Sequence, residues 1–162
     1  MSFNKVASGL WVGDANASIN CSFLKINGIT LIVNCTKSIP CQYKHMKYIR
    51  IPVKDPGPNN DINHRDVSLL TQFLPHVVDY IYAEINRGGN VLVHCRAGVQ
   101  RSAAVATAFL LKYHRKNNGA PLTIDEAVNI VLAQRPVAFY RGDHVNFYAA
   151  LDYFNKFHLG RS

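Results

Sequence analysis

The segment that most limits the possible folds is residues 90 to 116. Val91 to His94 reads as a short buried strand, and residues 101 to 116 read as an alanine-rich helix stopped by Asn117-Asn118-Gly119. Between them lies Cys95-Arg96-Ala97-Gly98-Val99-Gln100, a tight loop with one glycine. A strand feeding a helix through a short loop is the repeating unit of an α/β domain. Ligands in such domains sit where strands end and helices begin.

The rest of the chain alternates in the same way. Val6 to Val12 is a strand or hairpin edge ending at Gly13. Ser18 to Asn27 predicts a short helix with Gly28 as its C-terminal cap. Ile29 to Cys35 is an unbroken apolar, β-branched run, the pattern of a strand buried on both faces. Tyr48 to Val53 predicts another strand, followed by the turn-rich stretch Lys54-Asp-Pro-Gly-Pro-Asn-Asn-Asp61. Val67, Leu70, Leu74, Val77, Val78, Ile81 and Ile85 recur at helical spacing, with Pro75 expected to kink that helix. Thr123-Ile-Asp-Glu126 has the spacing of a capping box for a helix reaching about Arg135, and a last helix is expected over 143–157. No repeat or linker divides the chain. The expectation is one α/β domain over residues 1–162, with a mostly parallel twisted sheet flanked by helices.

Composition narrows the function. The 162 residues are 48% hydrophobic, enough for one sizeable core. The longest apolar runs, such as Ala103 to Leu111, are too short to span a bilayer, so no membrane insertion is expected. The first residues lack a secretory signal, so an intracellular protein of cytoplasm or nucleus is expected. Cys21, Cys35, Cys41 and Cys95 lack zinc-site spacing and read as free thiols. His45, His64, His76, His114, His144 and His158 have no ligand-like spacing either, and surface or capping roles are expected for each. The formal net charge of +8 attracts anionic partners: phosphoproteins, nucleic acid or acidic membrane. The basic residues are scattered, which fits a solvated surface equally well.

The chemistry concentrates in residues 94 to 102. Backbone N–H groups of a loop before a helix can converge on an anion, and the helix N-terminus adds partial positive charge. Gly98 allows a conformation or close approach that other residues resist. A thiol at such a position, beside the Arg101 guanidinium, ionises more readily than a free one and can attack phosphorus. The planar fork of Arg101 matches two phosphoryl oxygens. Ser102 is placed to steady the sulfur, and His94 to fix the loop. Arg96, Ala97, Gly98, Val99 and Gln100 are the expected phosphate cradle. A cysteine six residues before an arginine is weak by itself; the strand, the His-Cys pair, the glycine, the Arg-Ser pair and the helix make it specific.

His-Cys-Arg-Ala-Gly-Val-Gln-Arg-Ser resembles the signature of the cysteine-based protein tyrosine phosphatase superfamily, and of its dual-specificity branch in particular. Gly9 to Gly13, Asn27 to Asn34, Ile51 to Asp55 and Gly89 to Cys95 are similar to further segments of that branch, so the resemblance covers most of the chain. It implies a phosphocysteine enzyme without metal or cofactor, acting on phosphoprotein substrates. A pocket without the long tyrosine-recognition loop implies phosphoserine and phosphothreonine as well as phosphotyrosine. The resemblance puts the general acid on Asp55, with Asp61 and Asp66 as rivals that could instead cap and charge the following helix.

Two stretches depart from the branch. Gln100 stands where a small residue or asparagine is usual, and could touch substrate, position water or be a plain loop substitution. Val137-Ala-Phe-Tyr-Arg-Gly-Asp143 replaces a Pro-Asn pair that braces the loop, so bracing must come from elsewhere. Arg141 is a candidate second anion contact or a surface residue. Gln100 together with Phe139 to Gly142 is similar to dual-specificity relatives of large DNA viruses. Cys35, at the end of a strand expected beside the catalytic one, is a candidate disulfide partner for Cys95 under oxidation or a plain buried thiol. Aromatic residues near both ends leave room for a homodimer.

Other functions fit the same scaffold. An RNA 5′-triphosphatase or phosphoinositide phosphatase suits the charge. The loop, however, has only Arg96 where inositide-directed relatives carry lysines, and Asp55 is present where RNA-directed relatives tend to lack the acid. A non-catalytic phosphoprotein-binding module is a third class, though Cys95 and Arg101 are intact.

Overall fold

The computed structural model describes residues 3–58 and 61–162. Five strands form one sheet: β1 (Phe3–Ala7), β2 (Leu10–Gly13), β3 (Ile29–Asn34), β4 (Lys47–Arg50) and β5 (Asn90–His94). Their order is β1-β2-β5-β3-β4, with β1 antiparallel to β2 and all other pairs parallel. The central strands β3 and β5 bury Leu31, Ile32, Val33, Val91, Leu92 and Val93 completely. Alternation across the sheet sends Leu31, Val33, Val91 and Val93 into the main core and Ile32 and Leu92 into a smaller cluster with Phe23 and Leu24 on the other face. Both faces of β3 and β5 are covered, which is why their sequences read as continuous apolar runs.

The helices are α1 (Cys21–Ile26), α2 (His64–Asn86), α3 (Arg101–Tyr113), α4 (Ile124–Gln134), a short α5 (Ala138–Gly142) and α6 (Tyr148–Tyr153), which continues into a π-helical turn over Phe154–His158. The capping box of α4 forms as expected: Thr123 Oγ1 accepts from Glu126 N at 3.1 Å, and Glu126 Oε1 accepts from Thr123 N at 2.9 Å.

Several boundaries differ from the sequence expectations. The helix expected over 18–27 breaks at Asn20, whose side chain accepts from Phe23 N at 3.0 Å and so starts α1, leaving Ala17–Ile19 as a separate 3-10 turn. α2 begins earlier, where Asn63 caps it by accepting from Arg65 N at 2.7 Å, and runs as one helix through Pro75. The strand expected to Val53 ends at Arg50. The final helix begins at Tyr148 rather than at 143. Just before it, Phe139, Tyr140 and Arg141 are left-handed, at φ 54°, 52° and 60°, followed by Gly142 at φ 87°. Three consecutive non-glycine residues in that region cost roughly 1–2 kcal/mol each, so surrounding contacts must hold them there.

Candidate active site

The parallel register places Gly13, His94 and Asn34 side by side at the carboxyl ends of β2, β5 and β3. One residue further, Cys35 N donates to the His94 carbonyl at 2.8 Å. Cys95 is where the chain leaves the sheet, 2% exposed. Its Sγ lies 3.2 Å from Oγ of Ser102, a buried residue in the first turn of α3. When the sulfur is a thiolate, Ser102 is the donor of that contact. The buried His94 ring donates from Nδ1 to the Cys95 carbonyl at 3.2 Å. Burial favours the neutral His94 ring and pushes the imidazole below its ordinary value, against the opposing pull of that hydrogen bond.

Four consecutive carbonyls of the loop turn outward. Arg96 O accepts from Ala15 N at 3.0 Å and Val99 O from Phe139 N at 2.8 Å. Arg135 Nε donates to Gly98 O at 2.7 Å and its Nη2 to Ala97 O at 3.3 Å. Because a trans peptide sets N–H opposite C=O, the N–H groups of residues 97 to 100 point the other way, toward the concave side. That is the geometry of an anion-binding nest at a helix start. Gly98 is at φ 68°, and a Cβ there would fall 2.6 Å from both Arg135 Nη2 and the Gly13 carbonyl. The glycine is needed for its backbone conformation and for the packing of the brace.

A cavity of about 290 Å³ opens beside the loop, lined by Thr36, Lys37, Ser38, Val53, Lys54, Asp55, Arg96 and Arg101. It unites the cysteine loop with Asp55. Arg101 Nη1 donates to Val53 O at 3.0 Å, while its buried Nε has no partner among the described residues. Asp55 Oδ1 accepts from Gly57 N at 3.3 Å and from Asn146 Nδ2 at 2.6 Å. The rival carboxylates lie elsewhere. Asp66, in the first turn of α2, accepts from Lys54 N at 3.1 Å and is buried. Asp61 lines a neighbouring cavity with Lys54, Pro56, Asn63 and Asp66. A larger cavity, about 580 Å³, sits at the opposite end of the sheet around Ile29, Lys47 and Gly88-Gly89, away from the 95–101 loop. Among the described residues no group of three or more His, Cys, Asp or Glu is arranged to hold a metal ion.

Gln100 points into the fold. Its side chain is 1% exposed, with Nε2 donating to His144 O at 2.7 Å and Oε1 accepting from Asn146 N at 2.9 Å. Each end of the amide thus meets the backbone of residues 144–146. Arg141 is exposed and does not line the cavity. Cys35 is fully buried at the end of β3 next to β5, and its thiol is pushed well up by burial, then by the nearby Cys95 sulfur, with Arg101 opposing.

Three residues escaped the sequence reading: Arg135, Tyr140 and Asn146. Arg135 is the missing brace, 2% exposed, with Nη1 also donating to Asn4 Oδ1 at 2.9 Å. Its one signal was position, between the capped helix and Pro136. Tyr140 and Asn146 touch each other at 3.4 Å beside Asp55. Burial and then the Asp55 charge raise the Tyr140 phenol above its ordinary value.

Comparison with known proteins agrees with this geometry. Residues 10–151 match the family model "Dual specificity phosphatase, catalytic domain". Mouse dual specificity protein phosphatase 14 is 34% identical over 134 residues, 82% of this chain and 60% of that protein. Human dual specificity protein phosphatase 18 is 32% identical over 112 residues, 68% of this chain and 55% of that protein. The chain thus spans somewhat over half the length of these curated relatives. The crystal structure of human DUSP28 superposes with a TM-score of 0.74 at 30% identity, over 95% of this chain and 93% of that one. The likeness to viral relatives gains no support from these proteins. By the extent of the matched domain and the shared fold, this chain belongs to the dual specificity phosphatase catalytic-domain family.

Proposed function

We propose that this chain is a protein phosphatase hydrolysing phosphotyrosine and phosphoserine or phosphothreonine through a phosphocysteine intermediate. The observation that carries the reading is the outward turning of the four carbonyls of residues 96 to 99, beside a cavity that Arg101 and Asp55 share.

In this reading the N–H groups of the loop residues Arg96, Ala97, Gly98, Val99, Gln100 and Arg101, with the Arg101 guanidinium, hold the phosphoryl oxygens and spread their charge in the transition state. The Cys95 thiolate attacks phosphorus, and the bond to the leaving oxygen breaks as that oxygen takes the proton of Asp55. Asp55, now a carboxylate, accepts a proton from water; the water oxygen bonds to phosphorus and the sulfur leaves as thiolate. Ser102 donates to the departing sulfur, and His94 holds the Cys95 carbonyl. Lys37, Lys54 and Arg96 around the cavity favour phosphoprotein segments rich in acidic residues. No described helix is long and apolar enough to cross a membrane, and the four free cysteines suit a reducing intracellular compartment.

The test is turnover of phosphotyrosine and phosphothreonine peptides, a phosphoinositide and triphosphate-ended RNA by wild type and Cys95→Ser. Peptide turnover lost in Cys95→Ser supports the proposal. Preference for the inositide or RNA replaces it with another phosphatase, and tight peptide binding without turnover replaces it with a binding module.

A further inference from the structure

The acid loop and the phosphate loop are tied together by a third segment. Gln100, five residues after Cys95, grips the backbone of His144 and Asn146 with both ends of its buried amide. Asn146 then reaches across 91 residues of sequence to donate from Nδ2 to Asp55 Oδ1 at 2.6 Å. The other end of the Asn146 amide is also fixed, because Oδ1 lies 2.8 Å from His144 Nδ1, where the ring N–H donates. Asn146 Nδ2 also lies 3.4 Å from the Tyr140 hydroxyl, on the left-handed run. The chain Gln100, Asn146, Asp55 therefore runs from the rigid start of α3 to a carboxylate on a turn-rich loop.

We infer that Asn146, anchored by Gln100, is a positioning residue for the general acid: it sets where the Asp55 carboxyl stands relative to the Cys95 sulfur. The inference rests on the phosphatase reading above. Among the described residues the other hydrogen bond to Asp55, from Gly57 N at 3.3 Å, lies within its own loop. Gln100 belongs to the loop that would hold the phosphate, so one short segment registers both phosphoryl group and acid. A misplacement of about 1 Å costs on the order of 10²-fold in rate, and a general acid contributes about 10²- to 10⁴-fold. The acid matters most when the leaving oxygen is strongly basic. A positioning role therefore has a signature that general loosening lacks.

The experiment measures kcat/KM for an aryl phosphate with a strongly activated leaving group and for an unactivated alkyl or aryl phosphate. Wild type, Asp55→Asn, Asn146→Ala, Gln100→Leu and Asn146→Ala combined with Asp55→Asn are compared, each with a thermal melt. The expected result is a ratio of activated to unactivated kcat/KM that rises about 10- to 100-fold in Asn146→Ala and Gln100→Leu. In the Asp55→Asn background, Asn146→Ala should change that ratio by less than about twofold. If Gln100→Leu does not fold, Asn146→Ala decides. An unchanged ratio in Asn146→Ala, while Asp55→Asn raises it, overturns the inference and leaves the phosphatase reading standing. No rise in the ratio for Asp55→Asn overturns the inference together with Asp55 as the acid, and no turnover by wild type overturns the phosphatase reading as well.

Discussion

Arg135 Nε donates to the carbonyl of Gly98 at 2.7 Å, joining the end of α4 to the centre of the cysteine loop. The same guanidinium reaches Ala97 O and Asn4 Oδ1, and burial lowers its proton affinity from the ordinary arginine range. A planar fork with several donors is required; a lysine ammonium cannot reproduce it. Arg135→Lys should leave at least one buried carbonyl unsatisfied, at a cost of about 1–3 kcal/mol. Urea unfolding should show that loss. Inhibition by orthovanadate, a phosphate mimic, should weaken about 10-fold or more, because the loop N–H groups lose their aim. Vanadate affinity within twofold of wild type would remove Arg135 from the phosphate site.

Ser102 and Cys95 make a second, separable prediction. The Oγ–Sγ contact of 3.2 Å matters most when sulfur is the leaving group, in hydrolysis of the phosphocysteine. A hydrogen bond to a charged group contributes about 1.5–3 kcal/mol, or roughly 10- to 100-fold. Ser102→Ala should lower kcat by that factor with a smaller effect on kcat/KM, and rapid mixing should show a burst of released phenol. Equal losses in both parameters with no burst would assign Ser102 to the first step instead.

The contrast between these two contacts explains what was legible in the sequence. Cys95 and Ser102 lie on either side of one loop, so strand, loop and helix patterns bring them together. The sheet was readable for a similar reason, since unbroken apolar runs at Ile29 to Val33 and Val91 to Val93 require burial on both faces. Arg135 meets Gly98 only after α3 and α4 have packed. Asn146 meets Asp55 across 91 residues. Neither contact has a periodicity or a local spacing. The left-handed Phe139 to Arg141 run was hidden because propensity rules place glycine or asparagine there, and none of the three is either. Asn20 ended one expected helix early because its side-chain oxygen competes for a backbone donor, a choice that apolar spacing does not encode.

Cys35 extends the β3–β5 register by one residue, which brings it beside Cys95. With peroxide as oxidant, the Cys95 thiolate takes one oxygen to become a sulfenic acid, releasing hydroxide. The Cys35 thiol then displaces that oxygen as water and forms the disulfide. Burial keeps Cys35 protonated, so Cys95 should be the first to react. Mild peroxide should abolish the proposed phosphatase activity with a mass loss of about 2 Da, reversed by dithiothreitol. Cys35→Ser should instead lose activity irreversibly as Cys95 proceeds to sulfinic acid. Wild-type protein carrying only sulfinic acid, with no 35–95 bridge, would show that the two sulfurs do not pair.

Acid sensitivity should trace to Glu84, at the end of the sheet away from the loop. Its side chain is 3% exposed and receives Lys47 Nζ at 2.5 Å and Arg87 Nη2 at 2.6 Å. Burial pushes the carboxyl up, but hydrogen bonds from Lys47, Thr30 and Arg87 outweigh it and bring it down to about 2. Because the folded value lies below the ordinary 4.5, the folded state binds the proton less readily than the unfolded chain. The resulting stabilisation is complete above pH 4.5 and is lost as pH falls toward 2. Lys47 and Arg87 are 50% and 60% exposed. Solvent screening therefore limits the effect to about 1–2 kcal/mol. Glu84→Gln should cost about that much at pH 7 and flatten the fall in stability between pH 5 and 2. Denaturant melts across that range test it, and a wild-type slope preserved in Glu84→Gln would place the acid-sensitive group elsewhere. The group is remote from Cys95, so kcat/KM at pH 7 should change by less than about twofold, separating the stability of the sheet from the chemistry at its other end.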